Sequence, residues 1–476
     1  MGSPTIEKTD VLVIGAGPGG YPAAIRSAQL GKKVILVDKG YLGGECLNWG
    51  CIPSKALISA ADFYHRLESD ASAMGISVQK VNIDVQQLQK WKNGIQTRLI
   101  EGIKQLLKGN KVKTIMGSAK FVSSNEIEVK LDNGNTIFIK AKDIIIATGS
   151  KFISLPNVEI DEKTILSAKG ALSFERIPKD FVIIGGGVIG LEIGTIYAKL
   201  GSNVKIIELL PEILPWIDPS LTRIVKLRLK KLGVDLFTDS QVKEINLMKD
   251  KSLEITLETT KGIVKLNSNQ ILISIGKEAS TVELGLKKIE LKIDKKGFIK
   301  VNSQQQTNIP HIYAVGDCTG IPFLAHKATK QGIIAAEVIA GLPSESDFKA
   351  MPYAIFTDPE IAYVGMSEKE TKEAGYQVIT GRTSFGASGR ALTHQSELGF
   401  VKVIADANSG ILYGVQIVGP EASEMISEAS LALEMGSTVE DIGFTVHPHP
   451  TISEMVMEAS DAALKKAIHQ INRLSK

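Results

Sequence analysis

Asp10-Val11-Leu12-Val13-Ile14-Gly15-Ala16-Gly17-Pro18-Gly19-Gly20 decides how this chain folds. A short apolar run of buried-strand type leads straight into a glycine turn, and a helical segment follows to Leu30-Gly31. A second strand, Lys33 to Val37, then delivers Asp38. Strand, glycine turn, helix, strand and acid, in that order, make the fingerprint of a dinucleotide-binding unit. Gly15 permits the tight turn, Gly17 lets a pyrophosphate approach the backbone, and the helix N-terminus faces that charge. Asp38 is placed to accept hydrogen bonds from a ribose. Pro22 removes an amide early in the helix, which is tolerable only near the first turn.

The chain then repeats itself. Phe181-Val182-Ile183-Ile184 enters Gly185-Gly186-Gly187-Val188-Ile189-Gly190, a helix runs to Leu200-Gly201, and a strand from Asn203 to Ile207 ends in Glu208. The interval from first glycine to acid is 23 residues in both copies, Gly15 to Asp38 and Gly185 to Glu208. Two such units point to two dinucleotides, an arrangement suited to passing a hydride between nicotinamide and flavin. Further strands ending at glycine or acid bracket the two units. They are Asp143 to Ala147 before Thr148-Gly149-Ser150, Ile271 up to Gly276, and Ile312 to Val315 before Gly316-Asp317. Asp317 is placed to reach polyol hydroxyls of FAD, or is a simple turn aspartate.

Directly after the first copy stands Gly43-Gly44-Glu45-Cys46-Leu47-Asn48-Trp49-Gly50-Cys51-Ile52-Pro53-Ser54-Lys55. Three cysteines in 476 residues do not make a disulfide scaffold. A bridge across so short a loop stabilises little, whereas sulfurs at a helix N-terminus become better thiolates. Cys46 and Cys51 therefore read as a dithiol that cycles; the blander reading is two unrelated buried cysteines. A dithiol exchanges electrons readily with a flavin, so FAD is expected in the first site and a nicotinamide nucleotide in the second. Glu208, with no arginine nearby, would accept ribose hydroxyls and repel a 2′-phosphate, which favours NAD over NADP.

The remaining composition excludes more than it asserts. Hydrophobic content of 43% with 22% charged residues suits a soluble globular chain of about three units. A net charge of +3, from 55 basic and 52 acidic residues, asks for neither nucleic acid nor an anionic membrane. No apolar run approaches a membrane span, and Met1-Gly2-Ser3-Pro4 opens neither a signal peptide nor a lipidation motif. The cytoplasm is the expected location. Ser118 to Lys140 alternates as strands around Asp132-Asn133-Gly134-Asn135. Beyond about Met351, strands at 361–365, 377–382, 400–406 and 412–418 precede helices over 421–435 and 453–471. The expected fold is α/β, with two Rossmann-like units and a C-terminal α+β unit. That last unit holds one chemical cluster, His447-Pro448-His449-Pro450-Thr451-Ile452-Ser453-Glu454. His447 and His449 lack cysteine or further acidic ligands, so no metal site is expected. His65, His311, His326 and His394 receive no role, and Cys318 reads as a small buried residue.

With GGECLNWGCIPSK, GGGVIGLE, YAVGD and HPHPTISE in order, the chain resembles the pyridine nucleotide-disulfide oxidoreductases, flavoproteins of class I, and within them those that oxidise dihydrolipoamide. The resemblance covers nearly the whole chain. It implies an FAD unit over 1–150, an NAD unit over 151–276, a central region over 277–350 completing the FAD site, and an interface unit over 351–476. It implies a homodimer in which the C-terminal histidine serves the disulfide of the other protomer. Its substrate would be lipoamide and dihydrolipoamide or a lipoyl-bearing protein, within 2-oxo-acid dehydrogenase or glycine cleavage complexes.

Residue by residue, Cys46 becomes the thiol that exchanges with substrate and Cys51 the thiol lying against the flavin. His449 becomes the acid–base group, oriented by Glu454. Lys55 and Glu192 match a charged pair near the flavin. The cofactor-contacting set is Gly15, Gly17, Gly20, Asp38, Lys39, Gly44, Lys55, Thr148, Gly149, Asp317 and Ala325, with Gly185, Gly187, Gly190, Glu192, Glu208 and Gly276. The chain departs from the pattern at Glu45, where threonine is common, with a charge that would raise the neighbouring thiol's pKa. Asp38 replaces a common glutamate, Pro448 a usual alanine, and Gly276-Lys277-Glu278-Ala279 lacks the usual arginine and proline. A reductase of acidic peptides would want arginines beyond the second fingerprint. A mercuric reductase would carry another cysteine pair after Cys318, and a transhydrogenase relative would usually lack the paired cysteines. A related NAD(P)H-dependent reductase of another small disulfide is the nearest alternative. A pure docking subunit lacks support, since no linker rich in Ala and Pro precedes the core.

Overall fold

The computed structural model describes residues 6–472. Met1-Gly2-Ser3-Pro4, with its expected lack of a targeting signal, lies outside them. Helix Gly20–Gln29 follows strand Ile6–Ile14, and strand Val34–Asp38 returns parallel to it, with Val11 opposite Val34 and Ile14 opposite Val37. Pro22 is the third residue of that helix, inside the first turn, where its missing amide has no intrahelical partner to lose.

Around this unit the parallel strands lie side by side in the order 113–116, 34–38, 11–14, 143–146 and 312–314. Val11, Leu12, Val13, Ile144 and Ile145 are fully buried, as expected of a sheet covered on both faces. The second unit repeats the first four positions with strands Asp235–Phe237, Asn203–Ile207, Asp180–Ile184 and Gln270–Ile273, all parallel, while its fifth, Ile165–Leu166, precedes the glycine turn in the chain where the first unit's fifth comes last. The repeat extends further than the glycine motifs. In each unit an antiparallel three-stranded meander separates the first and fourth parallel positions along the chain, 117–140 in the first and 241–268 in the second. One difference from the sequence reading is that Thr136–Ile146 is a single strand. Its first half closes the meander and its second half joins the parallel sheet, so no break falls before Asp143.

The C-terminal part is a five-stranded antiparallel sheet. Its strands lie in the order Tyr353–Ile355, Glu360–Gly365, Leu412–Gly419, Phe400–Asp406, Val378–Ser384. Helices Ala422–Glu434 and Glu454–Ala463 pack on it through Met425, Ile426, Met455 and Val456. The expected helix to 471 stops eight residues short. Lys465 takes a left-handed φ of 60° and Lys466 N donates back to Asp461 O, which turns the chain so that Ala467 is buried.

The three parts meet at a knot of charge. Lys199, at the end of helix Val188–Lys199, pairs with Asp62 of helix Cys51–Ser69 and, at 2.6 Å, with Asp358 just before the C-terminal sheet. Arg228, from helix Pro219–Lys231, reaches the same Asp358 oxygen at 2.8 Å. Among the described residues no helix is long and apolar enough to cross a membrane.

Candidate functional site

The two glycine turns are braced alike. Asp38 Oδ2 accepts from Ala16 N at 2.8 Å, and Glu208 Oε2 accepts from Gly186 N at 2.7 Å. Each acid thus holds the residue after the first glycine of its turn. Each also caps its own loop, Asp38 through Gly40 N and Tyr41 N, and Glu208 through Leu210 N. Gly15 (φ 102°) and Gly185 (φ 113°) adopt left-handed conformations that a side chain would strain. Space for a Cβ is open at Gly187.

Both turns border one cavity of about 2550 Å³. Its wall also holds Asp38, Lys39, Gly44, Cys46, Cys51, Lys55, Thr148, Gly149, Glu192, Glu208, Gly276, Asp317 and Ala325. Gly20 and Gly190 are the exceptions among the expected contacts. They lie off the wall, where an added Cβ would run into the carbonyl oxygens of Gly15 and Gly185. Their job is close packing of helix against turn.

Cys46 sits in the short helix Gly44–Asn48, and Cys51 begins helix Cys51–Ser69. Both are partly buried free thiols, and they are hydrogen-bonded to one another. The pair is asymmetric. The hydrogen bond from Cys46 holds the Cys51 thiol below its ordinary pKa against the opposing effect of burial, and the Lys55 charge adds to the lowering. The Cys46 thiol is pushed up by that same bond, then by burial and the Cys51 charge. The negative charge therefore settles on Cys51. Lys55, one turn further along the helix, pairs with Glu192 Oε2 at 2.7 Å. Glu192 is fixed in turn, since Oε1 accepts from Phe356 N at 3.0 Å, and Lys55 Nζ stands 4.3 Å from the Phe356 ring.

Glu45 does not act as its position suggested. Its carboxylate is 2.7 Å from Lys277 Nζ, and the rise at Cys46 comes from Cys51 and burial instead. Sequence reasoning also missed Gln96. Its amide, from helix Val85–Gly109, donates to Leu47 O at 3.1 Å and Asn48 O at 2.6 Å, fixing the loop between the cysteines. No spacing or motif marks a lone glutamine 45 residues beyond Cys51.

His449 and Glu454 lie away from this cavity wall. His449 Nδ1 is 2.9 Å from Glu454 Oε1, while Thr451 N donates to Glu454 Oε2 at 2.8 Å. Burial works upward on Glu454, but the Thr451 amide and His449 outweigh it and hold its carboxyl below the usual range. The His449 side chain is 80% exposed, with Nε2 the ring nitrogen that Glu454 does not engage. His447 Nε2 instead binds Glu428 Oε1 at 2.9 Å and Nδ1 binds Thr445 O at 2.8 Å. Among the described residues no metal-binding cluster occurs.

The cavity fits a bound dinucleotide on more than its glycines. Thr148 Oγ1 is buried on its wall with no hydrogen-bond partner among the described residues, a polar atom left for a ligand. The chain belongs to the pyridine nucleotide-disulphide oxidoreductase family. It matches that family over residues 9–332 and the family's dimerisation domain over 351–460. It is an oxidoreductase whose cofactors are FAD and NAD. A dihydrolipoyl dehydrogenase of Geobacillus stearothermophilus is 44% identical over 466 residues, 98% of either chain. One from Thermus scotoductus is 45% identical, covering 98% of this chain and 99% of its own. The crystal structure of LpdA from Mycobacterium tuberculosis superposes with a TM-score of 0.89 at 26% identity, over 95% of this chain and 99% of that one.

Proposed function

We propose that this chain oxidises dihydrolipoamide, free or carried on a lipoyl protein of a 2-oxo-acid dehydrogenase or glycine cleavage complex, and reduces NAD+. The observation that carries the reading is the asymmetric pair Cys46 and Cys51, poised by Lys55 and Glu192 in a cavity bordered by two braced glycine turns. Relatives bearing the dihydrolipoyl dehydrogenase name, at 44% and 45% identity over nearly full length, support it.

In this reading the first turn, with Asp38, Lys39, Gly44, Thr148, Gly149, Asp317 and Ala325, holds FAD. The second, with Glu208 and Gly276, holds NAD. When bound, FAD supplies a two-electron acceptor and NAD a hydride acceptor. A substrate thiolate attacks Cys46 Sγ, the Cys46–Cys51 bond breaks, and Cys51 leaves as a thiolate that Lys55 stabilises. The second substrate thiol then attacks its own sulfur in the mixed disulfide, forming lipoamide and releasing Cys46. His449 takes a substrate-thiol proton at Nε2 while Glu454 fixes the tautomer through Nδ1; of the two thiol protons, one ends on the released Cys46 and the other in solvent. Since His449 stands off the cavity wall of its own chain, it serves the cysteines of the other protomer in a homodimer built through residues 351–460. The cytoplasm completes the reading.

Anaerobic titration of the yellow protein with dihydrolipoamide, then NAD+, tests this. A long-wavelength band followed by NADH formation is expected. A flavin reduced by NADH and untouched by dihydrolipoamide would overturn the substrate and leave the cofactors standing. Cys46→Ser should abolish lipoamide turnover and keep much of the flavin's reaction with NADH; full lipoamide activity in that variant would sink the scheme.

A further inference from the structure

Glu45 is the residue before Cys46, and its partner lies 232 residues away in sequence. Lys277 Nζ stands 2.7 Å from Glu45 Oε1 and 3.5 Å from Asp317 Oδ2. The lysine side chain is only 11% exposed, and its ammonium is flanked by the rings of Phe152 at 5.6 Å and Phe323 at 5.8 Å. Ser150 Oγ donates to the same Asp317 oxygen at 2.6 Å. Lys277 opens strand Lys277–Ala279, which pairs antiparallel with Ser150–Phe152 where the two parallel units join. One cation thus ties the cysteine-bearing helix Gly44–Asn48 to the junction strand and to Asp317.

The arrangement has an electrostatic consequence for Cys46 and Cys51. Their reduction places a thiolate charge on Cys51, which shares one cavity wall with Glu45 and Lys277. An unpaired Glu45 carboxylate would oppose that charge, and an unpaired Lys277 ammonium would favour it. Held together, the two nearly cancel. Burial pushes the Glu45 carboxyl up, and the Lys277 charge is the largest effect working against that rise.

We propose that Glu45 and Lys277 form a positioning pair that sets the equilibrium between the Cys46–Cys51 disulfide and its dithiol. The proposal rests on the reading of these cysteines as the redox pair, and it explains both departures of this chain, at 45 and at 277, as one compensated feature.

The test is equilibration of the FAD-loaded protein in mixtures of reduced and oxidised dithiothreitol, with thiols trapped by alkylation and counted by mass. The reagent gives two electrons, the Cys46–Cys51 bond breaks, and its own sulfurs join as a cyclic disulfide. One of its protons goes to Cys46 and the other to solvent, leaving Cys51 as thiolate. Glu45→Gln should favour the dithiol by about tenfold, or about 30 mV. Lys277→Met should disfavour it by a similar factor, and Lys277→Arg, which keeps the charge, should stay near wild type. Opposite shifts separate electrostatic control from general damage, which would move both variants the same way. Shifts of one sign, an unmoved Glu45→Gln, or a Lys277→Arg as displaced as Lys277→Met would overturn the proposal. A wild-type protein whose cysteines take up no electron pair would overturn the redox-pair reading itself, a result distinct from an unshifted variant.

Discussion

Lys55 Nζ and Glu192 Oε2 are 2.7 Å apart, and they come from two different glycine-turn units. Cys51 is one helical turn from Lys55, so this pair decides how much positive charge the inner sulfur sees. Glu192, 6% exposed in its side chain and tied to Phe356 N, cannot follow a displaced lysine.

Lys55→Met should therefore raise the Cys51 thiol pKa. The hydrogen bond from Cys46 would still hold it down, but the lowering from Lys55 would be gone. A shift of about one pH unit is expected for the loss of a neighbouring opposite charge. The pH dependence of iodoacetamide capture by the reduced protein measures it. An unmoved profile would contradict the role given to Lys55.

Glu208→Arg should move cofactor preference from NAD toward NADP. The variant also removes acceptors from Gly186 N and Leu210 N, so NAD affinity should fall even where the ribose is ignored. A rise of about tenfold in the KM for NAD corresponds to the loss of one or two such hydrogen bonds. The ratio of kcat/KM for the two nucleotides decides it, and a ratio unchanged from wild type would refute the assignment.

His449→Gln should lower lipoamide turnover by about 10²- to 10⁴-fold, the usual worth of a positioned general acid or base. Glu454→Gln should cost less, because its one remaining carboxamide oxygen can still accept either from Nδ1 or from Thr451 N, the two groups that the carboxylate's separate oxygens hold. Flavin reduction by NADH should survive in both. Equal losses in that half-reaction would show damage to the fold instead.

His447 offers a stability test. Glu428 raises its pKa above the ordinary 6.5, aided by Thr445 O and opposed by burial. A group whose folded pKa is raised contributes stability that is whole below the unfolded pKa and is lost as pH climbs through the folded value. His447→Gln should thus lower stability most near about pH 6, on the order of 1 kcal/mol, and least near about pH 9, with Tm against pH as the readout. A gap that widened toward alkaline pH would refute the ion pair.

What the sequence made legible was local or periodic. The fingerprints at Gly15 and Gly185, the buried runs at Val11 and Phe181, and the Cys46–Cys51 spacing each lie within a few turns of chain. The pairing that fixes those groups is long-range and left no such trace. Lys277 meets Glu45, and Gln96 meets Leu47 O and Asn48 O, only because the sheets close. The meanders at 117–140 and 241–268 escaped as a repeat because their side chains differ while their topology agrees. The helix ending at Ala463 escaped for another reason: Lys465 adopts a left-handed conformation that lysine propensity does not predict.

The knot at Lys199 bears on how this molecule comes apart. Its side chain is 5% exposed and is held by Asp62 and Asp358, acids from the first unit and from the approach to the C-terminal sheet. Loosening any one part breaks at least one pair of this cluster, at a cost of up to several kcal/mol. Heating should accordingly give one calorimetric transition, with proteolytic fragments of the separate parts scarce below it.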